Sequence, residues 1–508
     1  MNVLKESKRE RYDVIVVGSG MGGLSAAALL AKHGRSVLVV ERHDRPGGYA
    51  HSFQRKQFHF DAAIHLVGGC EPSSDPDAGL IDGLLRSLGV RDRCRFLPVD
   101  PFYDVLFPDL SVRVPVGLEP FIEAHARAFP AEAEGFRALA RLCSGLSKEA
   151  RSIPEKLSWW QMLSLPRRLP LVFRYHQATV SQVLERHLQD PRARSLFGAF
   201  WPYLGSPPSQ LSFMYFALAL MSFIEEGAYL CEGTFQKLAD ALVAALQAKG
   251  GELLLRAEVR RILTAHGRVT GVMLENGQRI DAPVVISNAD ALQTFEELVG
   301  PEVSGPKYLA RLRRMTPSLS AVVAFLGTDL DLFATGLIHE TFRYGSWDHD
   351  QVDAAVRSGE PNTLAITVPT LLDRTIAPAG FHEVVLTTLM PYAAAQSWRA
   401  EKAPFVERLI DQAQAVIPGL KDHVVLTEGA TPRTLERYTL NVTGAMYGWA
   451  MTPDQAGNKR LERETPIRGL YLSGHWTRPG LGVYGVTVSG VQTAAAVLGL
   501  KSMPEVLG

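Results

Sequence analysis

At 508 residues, with 46% apolar and 21% charged content, the chain is globular and too long for one simple core, so two or more domains are expected. Its basic and acidic residues, 53 of each, give a formal net charge of +0, which points away from a nucleic-acid partner. The four cysteines, Cys70, Cys94, Cys143 and Cys231, are scattered with no CxxC pair. That argues against a metal site or disulfide framework and fits a reducing, cytoplasmic compartment.

The first eleven residues, MNVLKESKRER, are charged and lack an apolar centre, so they do not read as a signal peptide. Residues 12–17 form a short β-branched run, expected as a buried strand. Gly18-Ser19-Gly20-Met21-Gly22-Gly23 follows and fits G-x-G-x-x-G. Residues 24–33 are Ala/Leu-rich without a breaker, a predicted helix that Gly34 ends. Residues 36–40 are a second apolar strand, with Glu41 at its end. Strand, turn, helix, strand and acid in this register form a dinucleotide-binding βαβ unit.

Each residue has a physical task there. Gly18 permits the tight turn, Gly20 keeps side-chain bulk off a pyrophosphate, and Gly23 lets the helix pack close to the sheet. The free N–H groups at the helix start face the phosphates. Glu41 accepts from ribose hydroxyls and repels a 2′-phosphate. Arg42-His43-Asp44-Arg45-Pro46-Gly47-Gly48 adds a second glycine pair, Gly47 and Gly48, and a cation, Arg45.

Phe58-His59-Phe60-Asp61-Ala62-Ala63-Ile64-His65 comes next. Together with the opening unit and the R-x-G-G turn, this F-D-x-x-x-H segment resembles the phytoene desaturase, carotenoid isomerase and retinol saturase group. These are FAD enzymes of the wider amine-oxidase-like superfamily. Many members carry Gly where Ala63 stands, a departure that makes the local backbone less permissive.

Residues 79–88 read as a helix, 102–115 as a hairpin turning at Pro108-Asp109, and 121–146 as helical. Residues 151–186 change character, with six Arg/Lys against two Glu and Trp159, Trp160, Leu163, Leu165, Phe173 and Tyr175 interleaved. Such a mixture suits a membrane interface, and equally a helical cap or a dimer contact. Residues 195–224 carry no charge, but contain Pro202, Pro207 and Pro208, and the apolar part, 211–224, is too short to span a bilayer. It reads as a buried helix, and its aromatic and Met side chains suit either plain core or a tunnel for the long polyenes that the resemblance implies.

Residues 232–249 return to the cofactor domain as a helix, followed by strands at 252–255, 269–274, 279–280 and 283–287. The resemblance places the backbone of Val259 at the adenine side. Three apolar runs, 320–326, 364–368 and 383–389, predict a separate sheet. Thr443-Gly444-Ala445-Met446-Tyr447-Gly448-Trp449 and Thr452-Pro453-Asp454-Gln455 are close to the G-x-x-Y-G and T-P-x-Q segments of the carotenoid-isomerase branch.

Residues 470–474 are a strand with a small-residue end, 475–482 a Gly-rich loop and 485–498 an Ala-rich helix. The resemblance places Gly474 and His475 near the flavin ribityl and phosphate, and Gly485, Val486 and Thr487 under the flavin pyrimidine. A helix N-terminus there would stabilise a reduced, anionic flavin. Many relatives have an acid or a small residue where His475 stands.

The fold class expected is α/β. A Rossmann-type FAD-binding domain is built from separated segments (1–75, 225–290 and 461–508), with an inserted α+β substrate domain and a helical cap (76–224 and 291–460). Met21 and Gly22 complete the cofactor set. One dinucleotide fingerprint implies FAD without a separate nicotinamide site. The expected chemistry is hydride transfer between flavin N5 and a C–C or C=C bond of an apolar polyene or isoprenoid: desaturation, saturation or cis–trans isomerisation. His65, Tyr447, Tyr484 and Glu226 are the candidate proton-handling groups. Two other readings stand beside it: an amine or porphyrinogen oxidase, and a non-catalytic prenyl-protein binder of the Rab-escort type.

Overall fold

The opening strand, Val14–Val17, lies at the centre of a five-stranded, wholly parallel sheet. The order is Leu470–Leu472, Val284–Ser287, Val14–Val17, Val37–Val40, Glu252–Leu254. A parallel sheet covered on both faces must be apolar throughout, which is why Val14–Val17 and Val37–Val40 are fully buried Val/Ile/Leu runs. The computed structural model describes residues 6–72, 79–153, 164, 166–480 and 482–508.

Helix Met21–Lys32 packs between helix Gly482–Leu498 and helix Gln236–Ala248. Its contact with Gly482–Leu498 is so close that a Cβ on Gly490 would lie 2.4 Å from the Gly22 carbonyl oxygen. Met21–Lys32 and Gly482–Leu498 start earlier than the Ala-rich patterns suggest, their glycine-rich ends being helical, whereas Gln236–Ala248 starts four residues later than expected. A small antiparallel sheet, Val259–Ala265, Arg268–Leu274 and Arg279–Asp281, extends this half.

The three predicted apolar runs fall in one seven-stranded sheet. Its order is Val424–Ala430, Ser320–Thr328, His382–Met390, Thr363–Thr367, Glu340–Tyr344, Tyr103–Phe107, Leu110–Val114. Pairing is antiparallel except between Glu340–Tyr344 and Tyr103–Phe107. The early hairpin is therefore an edge of a sheet whose other strands come more than two hundred residues later.

Residues 121–146 are not one helix. Leu118–Ala128 ends before Pro130, and a second helix, Ala133–Arg151, begins after it. Pro130 lacks an N–H and forces its predecessor out of the helical region, so Phe129 sits at φ −136°, ψ 80°. Helix Phe213–Ile224 packs against Ala133–Arg151 and is largely buried, as its uncharged sequence requires. In the basic, aromatic stretch, Trp159, Trp160, Leu163 and Leu165 lie outside the described residues. Within it, Phe173 of the short helix Pro170–Tyr175 is 56% exposed, and Tyr175 is buried. No helix of the described residues is long and apolar enough to cross a membrane.

Several carboxyl groups lie inside, among them the fully buried Glu340 and, at the end of Phe58–Asp61, the half-buried Asp61. Burial pushes Glu340 from the usual 4.5 up to about 8, and Asp61 from 3.8 up to about 7. A raised acid binds its proton more tightly in the folded state than in the unfolded one, so stability falls as pH rises from the unfolded to the folded value. The unfolding temperature is accordingly expected to carry a Glu340-dependent loss between about pH 4.5 and 8. Thermal denaturation of Glu340→Gln, which stays neutral, should show a shallower fall over that interval than the wild type.

Candidate functional site

At their carboxyl ends the strands of the parallel sheet are laced by short bonds. The Gly18 amide donates to the Val40 carbonyl at 2.8 Å, Asn288 to Val17 at 2.8 Å and Ser473 to Ser287 at 2.9 Å. These turns face a cavity of about 1310 Å³. An open α/β sheet binds ligands at this edge, where crossovers diverge to opposite sides.

Gly18, Gly20, Met21 and Gly22 form one wall. Helix Met21–Lys32 begins at Gly20 with no side-chain cap and no acid in its first turn, so its leading N–H groups and its dipole await an anion. Gly23 does not line the cavity. A Cβ there would lie 2.6 Å from the Gly18 carbonyl oxygen, so it sets the shape of the turn from behind.

Glu41, buried at the end of Val37–Val40, accepts from the Ser19 amide and hydroxyl at 2.8 Å on one oxygen. Its other oxygen accepts from the His43 amide at 2.8 Å. A carboxylate offers about four lone-pair positions, so capacity for ribose hydroxyls remains. Arg42 donates to the Arg437 carbonyl at 3.0 Å, and Arg45 donates to the Ser52 carbonyl at 2.6 Å. Both line the cavity, as do Gly47, Gly48 and Val259. The Gly47 amide donates to the Ser19 carbonyl at 2.9 Å, which ties the second glycine turn to the first.

At the far end, Gly474, His475 and Val486 line the same cavity, while Gly485 and Thr487 lie just behind it. The His475 imidazole is pushed down to about 3 by burial, reinforced by the Arg460 charge, so it is neutral.

The proton-handling candidates occupy three places. Tyr447 lines the cavity, donates its hydroxyl to the Pro202 carbonyl at 3.2 Å, and is pushed well above the usual phenol range by burial. His65 follows the cavity-lining residues Ala62, Ala63 and Ile64 and is itself outside the lining. Burial, with His339 beside it, pushes its imidazole down to about 3. Tyr484 and Glu226 come together: Tyr484 hydrogen-bonds the Glu226 carboxyl, which also accepts from the Gly79 amide at 3.0 Å and pairs with Arg151 at 2.5 Å. Burial raises Glu226, and Arg151 opposes the rise.

Sequence reasoning passed over Asn288. Its side chain lies at the centre of the glycine turns: a Cβ on Gly20 would lie 2.5 Å from its Nδ2, and one on Gly474 would lie 2.8 Å from its Oδ1. Its place at the end of a buried parallel strand next to the fingerprint strand was the available signal. Asn288 Oδ1, Ser473 Oγ and Thr487 Oγ1 are buried and unpartnered. Uncapped amides, unsatisfied polar atoms and a ribose-seeking acid along one cavity fit a dinucleotide cofactor.

Residues 21–498 match the model of the flavin containing amine oxidoreductases. The chain belongs to that family. It is an FAD-dependent oxidoreductase. Prolycopene isomerase 1, a chloroplastic protein of an Oncidium hybrid cultivar, is 30% identical over 99% of this chain and 87% of its own length. Phytoene desaturase (lycopene-forming) of Pseudescherichia vulneris is 27% identical over 95% of this chain and 98% of its own. Among solved structures, a double mutant of putrescine oxidase superposes with a TM-score of 0.67 at 17% identity, covering 96% of this chain and 99% of that one, which shows a shared fold.

The backbone contact behind the turn gives a direct check on this flavoenzyme. Gly23→Ala is expected to weaken FAD binding about tenfold or more, a cost of about 1.4 kcal/mol or greater. Quenching of FAD fluorescence by the FAD-free protein measures it. Gly83→Ala, where a Cβ meets nothing within 4 Å, should bind FAD as the wild type does.

Proposed function

We propose that this flavoenzyme acts on a C–C or C=C bond of an apolar polyene or isoprenoid, by desaturation, saturation or cis–trans isomerisation. The observation that carries the reading is the extent of the likeness: a prolycopene isomerase matches 99% of the chain, cofactor and substrate regions alike. The cavity's apolar side chains Phe53, Ile64, Phe325 and Met446 support it, because an amine substrate would need polar partners there; helix Phe213–Ile224, buried as it is, contributes no residue to this lining.

The domain plan that goes with this reading assigns 1–75, 225–290 and 461–508 to FAD. Residues 76–224 and 291–460 shape the substrate side. Glu41 holds the ribose, the amides of Met21 and Gly22 hold the pyrophosphate, Arg42, Arg45, Gly47, Gly48 and Val259 enclose the adenosine side, and Gly474 to Thr487 receive the ring. Bound FAD supplies the acceptor and donor of hydride. The chain's own work is to orient the substrate carbon, exclude water, and keep the neighbouring groups uncharged. The Tyr447 phenol stays protonated, with its hydrogen directed to the Pro202 carbonyl, and the His65 and His475 rings stay neutral. Such neutral groups polarise a polyene without stabilising a full charge in the wrong place. The exposed Phe173 beside Arg174 suits contact with the lipid surface that stores such substrates.

Anaerobic mixing of the FAD-loaded enzyme with C40 polyenes and retinoids tests the reading. Bleaching of the flavin band marks substrate oxidation, whereas isomer formation only after pre-reduction, without net electron use, marks isomerisation. No spectral or product change with any polyene would overturn it. Tyr447→Phe, with flavin occupancy unchanged, is expected to lower kcat by about 10²-fold if the phenol participates in proton movement.

A further inference from the structure

Arg460 lies wholly inside the protein, between the T-P-D-Q segment and the last strand of the parallel sheet. Its guanidinium donates to the carbonyls of His475 at 2.6 Å, Thr477 and Trp449 at 3.3 Å and Tyr447 at 3.4 Å. It also reaches Met451 Sδ at 3.6 Å, and the Tyr215 ring lies 6.0 Å away. Every one of these partners is neutral. Among the described residues no carboxylate pairs with it, whereas the buried Glu226 has Arg151 as its counter-ion.

Four carbonyls and a thioether sulfur occupy the donors of the guanidinium but leave its net charge in place. An unpaired charge in the interior is costly, and an arginine does not escape by losing its proton. The charge is therefore little screened toward what adjoins it. The cofactor cavity adjoins it, because His475 and Tyr447, whose carbonyls Arg460 grips, both line it. The adjoining helix, Gly482–Leu498, adds no acid in its first turn to cancel it.

We propose that Arg460 is the electrostatic positioning residue of the flavin site, its uncompensated positive charge stabilising the reduced cofactor and raising its reduction potential. A hydride passing from a substrate C–H bond brings both bond electrons, and one negative charge, into this cavity. The substrate carbon is oxidised and the flavin reduced. Arg460 favours that uptake without touching either reactant. The inference rests on the reading that the redox ring lies against Gly474 to Thr487.

The test compares wild type, Arg460→Met and Arg460→Lys, loaded with FAD, by equilibration with redox dyes. Arg460→Met is expected to lower the midpoint potential by about 30 mV or more, a tenfold loss of preference for the reduced form in a two-electron couple. Arg460→Lys keeps the charge at low pH. Its potential should track the wild type there and fall away as the buried amine loses its proton. A second readout uses the FAD-free protein. The groups facing Arg460 are His475, Tyr447 and Tyr215. The His475 ring, followed by NMR, should titrate higher in Arg460→Met than its present value of about 3.

If FAD leaves the His475 resonances of the wild type unmoved, the placement of the ring fails. If FAD moves them but Arg460→Met keeps the wild-type potential, the role of Arg460 is overturned. Should the Met variant not fold, Arg460→Gln, which keeps hydrogen-bond donors without the charge, takes its place, and a wild-type potential in that variant also overturns the role of Arg460.

Discussion

Where the strands Val14–Val17, Val284–Ser287 and Leu470–Leu472 end, three turns meet around the side chain of Asn288. Gly18, Gly20, Gly22, Gly23 and Gly474 each bring backbone to within reach of it. The contact fixes how far the first helix stands from the sheet, and with it the direction in which the uncapped amides point. It also joins segments almost five hundred residues apart into one wall. The glycines thus answer two demands at once, for a cofactor on one side and for Asn288 on the other. Either demand alone would be met with fewer of them.

Around this frame burial keeps several titratable groups uncharged. His65, His339 and His475 are held neutral, Tyr447 is held protonated, and Glu340 keeps its proton near neutral pH, each chiefly because burial penalises the charged form. The Glu340 carboxyl accepts from the Thr367 hydroxyl at 2.9 Å. Against that background the buried guanidinium of Arg460 acts at longer range than it would in a polar, wetted site. The division between a charged adenosine end, with Glu41, Arg42 and Arg45, and a quiet opposite end follows from which residues stand at which strand end.

The cofactor half was legible in the sequence because its determinants are local. The fingerprint, its strands and helix, and Glu41 all lie within thirty residues, and their burial follows from apolar runs with one meaning. The helix break at Pro130 was equally local, and a stricter use of the proline rule would have placed it. The seven-stranded sheet was legible only in pieces. Periodicity identifies a strand, but nothing in residues 102–115 says that their partner is 340–344. Arg460 and Asn288 were invisible for a related reason. Their importance lies in what surrounds them, and a lone Arg or Asn in a sequence carries no record of burial.

The strand order has a consequence for how the molecule comes into being. Val14–Val17 is flanked by 37–40 and 284–287, and the sheet's edge is supplied by 470–472. The Tyr103–Phe107 hairpin likewise waits for 340–344. The parallel sheet waits for 470–472 and the seven-stranded one for 424–430, so early strands spend much of synthesis without one of their neighbours. High contact order of this kind slows folding and exposes unpaired edges. The protein should therefore depend on chaperones during its synthesis, and loss of the last forty residues would deprive it of both its parallel edge strand and the helix that clamps Met21–Lys32.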